Sequence, residues 1–222
     1  MTKDVFLKVV SFDKLAILFT MFILIWNYYA ITAAFSYAVT YDEVTFYKKA
    51  LQHFYMSDFI RLLAQKNEYG YGGAWFSIYS LMIYISQLVT GLDYSFLQHI
   101  DSTVIGGQVE NTLYLLPLIL MKLINILSID MLFLIFLQAG KKNNIANYGG
   151  IFLLITPMLY WSGKWASPDI LASSIAALGF YLYFFKNKKN FLMVIFALAV
   201  SIKVSVFPAI LIVFGYEIVN LI

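Results

Sequence analysis

Cysteine is absent from the 222 residues and histidine occurs only twice. The first absence excludes disulfides and thiolate metal sites, and it leaves the redox compartment undetermined. Charge is also sparse, with 12% of residues Asp, Glu, Lys or Arg and a net of +3. So small an excess gives no ground for a nucleic-acid partner, and its distribution between loops carries more information than its sum. With 4 prolines and 12 glycines, no Pro-rich or Gly/Ser-rich stretch marks a linker. No internal repeat is visible either. One domain, residues 1–222, is the expectation.

What the chain has is apolar surface. Hydrophobic residues make up 62% of it, with 20 Phe and 17 Tyr, and the mean hydropathy is +0.80. A soluble chain is roughly half apolar, so this composition predicts an all-α, polytopic membrane protein. Each crossing of a core roughly 30 Å thick takes about 20 apolar residues, which leaves room for about six spans and little else. The first segment, Leu15 to Val39, exceeds a secretory h-region of roughly 7–15 residues and lacks a small-residue cleavage site, so it reads as a retained signal anchor. The apolar run that begins near Val204 reaches Ile222 without a polar tail. The expectation is a chain truncated at its C-terminus, or an unusually compact protein.

Apolar segments fall at 15–39, 74–90, 112–139, 145–161, 169–185 and 191–222, the last interrupted by Lys203. If all of them crossed from an inner N-terminus, Lys141-Lys142 and the cluster Lys186 to Lys189 would lie outside. The acidic stretch 91–111, with Asp93, Asp101 and Glu110, would lie inside, inverting the positive-inside bias. The conflict disappears if 74–90 does not cross, and its short length and aromatic content suit a helix in the headgroup region. The predicted topology is then a large outer first loop, about 40–111, built from interfacial amphipathic helices. Spans at 118–139, 145–161, 169–185, 191–203 and 204–222 follow it. Within the loop, Val44, Tyr47, Leu51, Phe54 and Tyr55 recur at helical spacing, with Lys48, Lys49 and Gln52 on other faces, which predicts a surface-lying helix.

Under this topology Asp42, Glu43, Lys164, Asp169 and Lys203 share one membrane face. Convergence of acids and bases from separate loops is what an active site on a helical scaffold requires. Asp42 stands at a helix start, where capping and the helix dipole favour a carboxylate, so a structural and a catalytic role are both open to it.

The order of motifs resembles a known family. An acidic pair follows the first span, a Gly/Tyr-rich turn precedes an aromatic helix (Tyr69-Gly70-Tyr71-Gly72-Gly73-Ala74-Trp75), and Lys122 opens the next span. A Ser167-Pro168-Asp169 turn opens another, and an apolar helix ends in Lys203, followed by Pro208. This order resembles the N-terminal membrane module of GT-C glycosyltransferases, in the branch of protein O-mannosyltransferases and aminoarabinose transferases. The chain departs from that pattern at Gly73-Ala74-Trp75, where relatives often carry Gly-Pro-Leu or Pro-Pro-Leu, and relatives are usually longer.

The resemblance implies an inverting transferase that moves a sugar from a polyprenyl-phosphate donor to a protein, lipid or glycan acceptor. Its setting would be the outer face of a bacterial inner (plasma) membrane. It makes Asp42 the candidate base, with Glu43 as the alternative base or a partner behind it. A carboxylate can take the acceptor's proton, and fixed cations can steady the departing phosphate. Lys203 is the candidate phosphate contact, although a lysine in that run also suits snorkelling to the interface. Asp169 is either an active-site acid or a helix cap. Lys122 and Lys164 are donor contacts or interfacial anchors, and Trp165, with Trp161, stacks on a sugar or belongs to an aromatic belt. Asp130 is expected to pair with a polar neighbour inside a span. His99, two positions before Asp101, is a weak metal signal beside His53, and no metal ligand is assigned. The resemblance implies no obligatory cofactor, and a divalent cation stays open, since Asp42, Glu43 and Asp169 offer oxygen ligands of the kind it takes. The alternative function is a non-catalytic membrane protein, a lipid-carrier flippase or a scaffold subunit.

Overall fold

The structure, a computed structural model, describes residues 21, 24–29, 32, 41–55, 73–98, 112–142, 166–186 and 191–221. The expected span at 145–161 and the residues His99, Asp101, Glu110, Trp161, Lys164 and Trp165 lie outside them. Nearly all the described residues are helical, with no strand among them. Helix α1 is Tyr41–Tyr55, α2 Gly73–Thr90, α3 Leu116–Lys142, α4 Pro168–Lys186, α5 Leu192–Ile202 and α6 Phe207–Leu221. Short 3-10 turns occupy Ser95–Gln98, Thr112–Leu115 and Val204–Val206.

Two helical stretches, Thr112–Phe136 and Pro168–Lys186, are long and apolar enough to cross a membrane. Helix α2 has 18 residues but is not one of them, because Ser77, Ser80, Ser86, Gln87 and Thr90 dilute its apolar content. Lys203 interrupts the last apolar run as expected. Its backbone is extended (φ −150, ψ 121), so α5 ends after 11 residues and α6 holds 15.

Helix α1 lays one stripe, Glu43, Tyr47, Ala50 and Leu51, into the core against α2. Tyr47 stacks on Tyr79 with ring centroids 5.8 Å apart, and Trp75 meets Tyr79 edge-on at 6.0 Å. Both arrangements suit the aromatic quadrupole and bury large surfaces at low entropic cost. The buried Tyr47 hydroxyl donates to the Tyr114 carbonyl at 2.7 Å, which fixes α1 to the entrance of α3. Burial, with Tyr79, Tyr94 and Tyr55 nearby, pushes the Tyr47 phenol well above its ordinary pKa, so it remains a donor.

The far ends of α1 and α2 meet at a polar knot. Gly91 adopts φ 68, the left-handed conformation that ends a helix without a Cβ penalty, and its N–H donates to the Gln87 carbonyl at 2.8 Å. The chain then turns so that Asp93 accepts from the Ser95 N–H at 2.9 Å and the Ser95 hydroxyl at 2.6 Å, starting the Ser95–Gln98 turn. Those bonds hold the Asp93 carboxyl below its usual range. The Tyr55 hydroxyl donates to Asp93 at 3.0 Å and accepts from Gln87 and from the Tyr94 N–H. Its phenol is pushed up to about 12, first by burial and then by the bond to Asp93.

Helices α3 and α4 run in the same direction. Asn125 meets Ser167, Ser128 meets Ser174 and Gln138 meets Tyr181, at 2.8, 2.7 and 2.6 Å. The C-terminal ends of both helices therefore lie at one end of the bundle. Helix α5 runs antiparallel to α4, since Lys203 reaches Asp169 while Phe196 lies against Gly179. A Cβ on Gly179 would sit 2.5 Å from Phe196 Cε1 and 3.3 Å from Ile195 Cγ2. Gly179→Leu should therefore lower the thermal midpoint, through an overpacking cost of about 1–3 kcal/mol. An unchanged midpoint would mean that α4 and α5 do not approach so closely. From the first segment, Asn27 Nδ2 donates to Asp130 Oδ2 at 2.9 Å, the polar partner expected for Asp130.

Candidate functional site

The candidate site lies at the end of the bundle where α1 and α4 begin and α5 ends. Glu43 occupies the first turn of α1 and is 1% exposed, whereas its neighbour Asp42 is exposed. Consecutive residues on a helix lie about 100° apart, so one faces the core while the other does not. The Glu43 carboxylate meets the Lys122 ammonium at 3.4 Å, and Lys122 is 2% exposed. Glu43 Oε1 also accepts from the Ala166 N–H at 2.9 Å. A charge removed from water is tolerated when its partner and hydrogen bonds replace hydration, and these contacts supply that replacement.

Asn125, one turn beyond Lys122 on α3 and fully buried, donates to the Ser167 carbonyl at 2.8 Å. Residues 166–167 are non-helical, so their peptide groups need such partners. Pro168 then occupies the first position of α4, where its fixed φ and missing N–H suit a helix start. Asp169 follows in the first turn, where a carboxylate is favoured by the helix dipole. Its Oδ1 is paired with the Lys203 ammonium, delivered by the extended break between α5 and the following 3-10 turn. The side chains of Asp169 and Lys203 are 47% and 17% exposed, so this pair reaches solvent whereas the Glu43–Lys122 pair does not.

Behind Glu43 the α2 aromatics form a dry wall. The Tyr79 hydroxyl and Trp75 Nε1 are buried with no hydrogen-bond partner among the described residues. Burial, and then the Glu43 charge, push the Tyr79 phenol well above its ordinary pKa, so it remains a neutral donor. His53 lies across the Phe76 ring at 5.2 Å, with its pKa lowered by burial and by Lys49. Among the described residues no group of three or more His, Cys, Asp or Glu side chains could hold a metal ion.

Of the residues expected at the site, Glu43, Lys122, Asp169 and Lys203 are thus joined through the short peptide 166–169, and Asp42 stands at the same helix start. Lys164 and Trp165 lie outside the described residues. Lys122 differs from an exposed interfacial anchor, because its ammonium is buried against Glu43 rather than in water. Asn125 and Tyr79 were not singled out by sequence reasoning, and Trp75 entered only as part of the turn before the aromatic helix. Asn125 carried a usable signal, an amide three positions after a lysine in an otherwise apolar helix. Trp75 and Tyr79 carried another, an i, i+4 aromatic pair on one face.

Comparison with family models, with curated proteins and with solved structures returns no match.

Proposed function

We propose that the chain is a membrane-embedded glycosyltransferase module of GT-C type, which transfers a sugar from a polyprenyl-phosphate donor to an acceptor at the outer membrane face. The observation that carries this reading is that Glu43, next in sequence to the exposed Asp42, is buried against Lys122 and accepts from the Ala166 N–H, three residues before the Asp169 that forms a solvent-reaching pair with Lys203. Asp42 takes the acceptor hydroxyl's proton as the acceptor oxygen attacks the anomeric carbon. The bond from that carbon to the carrier phosphate breaks, and Lys203 steadies the released phosphate. The apolar outer faces support a lipid setting: Val194 and Ile212 are both 69% exposed, where a helix in water would carry polar residues. The shared end of α3 and α4 that carries Lys142 and Lys186 is then cytoplasmic.

The test is a transfer assay with the protein reconstituted in liposomes, using a purified polyprenyl-phosphate sugar and following release of carrier phosphate. Release that depends on protein and acceptor is expected. Absence of release across mannose, glucose and aminoarabinose donors would leave the flippase or scaffold reading, in which the buried Glu43–Lys122 pair is a structural tie.

A further inference from the structure

We propose that Glu43, Lys122 and Asn125 are positioning residues, a buried polar clamp that sets the start of α1, and with it Asp42, against the start of α4 and the Asp169–Lys203 pair. The catalytic consequence rests on the glycosyl-transfer reading; the geometry does not. Apart from Glu43, the buried stripe that α1 presents to the core is apolar apart from the Tyr47 hydroxyl bond, and apolar contacts are non-directional. Such contacts hold α1 on α2, and the Tyr47 and Tyr55 hydroxyl bonds tie its middle and far end to Tyr114 and to the knot at Asp93, but none of these bonds ties its first turn to α4.

Glu43 supplies direction. Its Oε1 takes one proton donor from α3 (Lys122) and one from the non-helical peptide before α4 (Ala166 N–H, 2.9 Å). Asn125 holds the next carbonyl, Ser167, so α3 holds that peptide directly through Asn125 and, one turn earlier, through Lys122 by way of Glu43. Two residues later the same peptide becomes Asp169, which is paired with Lys203. The four elements α1, α3, α4 and α5 are therefore referenced to one short segment. A buried ion pair contributes little net stability relative to apolar residues of the same volume, and fixing register is its best-attested use. The wall formed by Trp75 and Tyr79 keeps the carboxylate dry, which strengthens its hydrogen bonds.

Loss of the clamp should let Asp42 drift from its working position, and a misplacement of about 1 Å can cost on the order of 10²-fold in rate. Donor KM should change little, because Lys203 is untouched. A single substitution leaves a buried charge without its partner, and that alone can unfold the protein. The decisive variant is therefore Glu43→Gln/Lys122→Met, which removes both charges at nearly constant volume, with Lys122→Arg as the conservative control. The absence of cysteine lets spin labels be placed at Gln52→Cys and Ser205→Cys in the full chain, and their distance distribution read by pulsed electron paramagnetic resonance.

The double neutral variant is expected to keep a near-normal thermal midpoint, to lose kcat by about 10²-fold with donor KM little changed, and to broaden the label distances. Lys122→Arg should restore a narrow distribution and most of kcat. A narrow distribution in the double variant overturns the clamp, whatever the turnover. A broad distribution with full kcat overturns its positioning role. If the wild-type protein transfers no sugar, the glycosyl-transfer reading fails, while the label distances still decide whether the clamp exists.

Discussion

Asp42→Asn is expected to abolish sugar transfer while donor binding survives. The amide keeps the size of the carboxylate and its place at the exposed start of α1, but it cannot accept a proton. Removing a general base typically costs about 10²–10⁴-fold in rate, so turnover should fall by that factor with donor KM near wild type. Glu43 gives the contrast. Its carboxylate lies between Lys122 and the Ala166 N–H, and Glu43→Gln leaves the Lys122 ammonium buried without its counter-charge. Breaking one side of a buried pair costs about 3–5 kcal/mol, so that variant should report first in the thermal midpoint. Measured together, midpoint and kcat separate the adjacent acids. Near-normal turnover in Asp42→Asn, with a stable but inactive Glu43→Gln, would move the base one residue along. Normal turnover in both would remove the mechanism.

Why the two acids differ was legible in the sequence only in part. Glu43 precedes Tyr47 by four positions and Ala50 by seven, which puts it on the buried stripe of α1, whereas Asp42 shares a face with Lys49 but also with the buried Phe46, so spacing alone does not separate them. The helices themselves were legible. Apolar length and periodicity fix α2, α3 and α4 to within a few residues of the segments 74–90, 112–139 and 169–185. The break at Lys203 was foreshadowed by a charge in an apolar run.

Long-range pairing was not legible. Nothing local to Lys122 names Glu43 as its partner, because the two meet only once α1 is laid across α2 and α3. The same holds for Asn125 and Ser167, whose bond depends on α3 and α4 running parallel. Periodicity says which face is buried; it does not say what lies opposite.

Lys203→Met is expected to weaken donor binding by about 10- to 100-fold, the equivalent of one charge-assisted hydrogen bond worth roughly 1.5–3 kcal/mol. The reason lies in how the lysine is presented. Helix α5 supplies 11 residues, or roughly 16 Å at helical rise, well short of a core roughly 30 Å thick. In the proposed membrane setting an ammonium at that depth needs an anion, and Asp169 supplies one. A donor phosphate would compete with that carboxylate for the same cation, and it brings more acceptor oxygens. Asp169→Asn is therefore the companion measurement, since it removes the competitor and keeps the cation. Donor affinity should fall in Lys203→Met and hold or rise in Asp169→Asn, with acceptor KM unchanged in the former. If the pair were only a structural tie between α4 and α5, both variants would lower the thermal midpoint alike and leave donor affinity at the wild-type value. That outcome would leave Lys203 as an anchor of the helix break and the phosphate without an assigned contact.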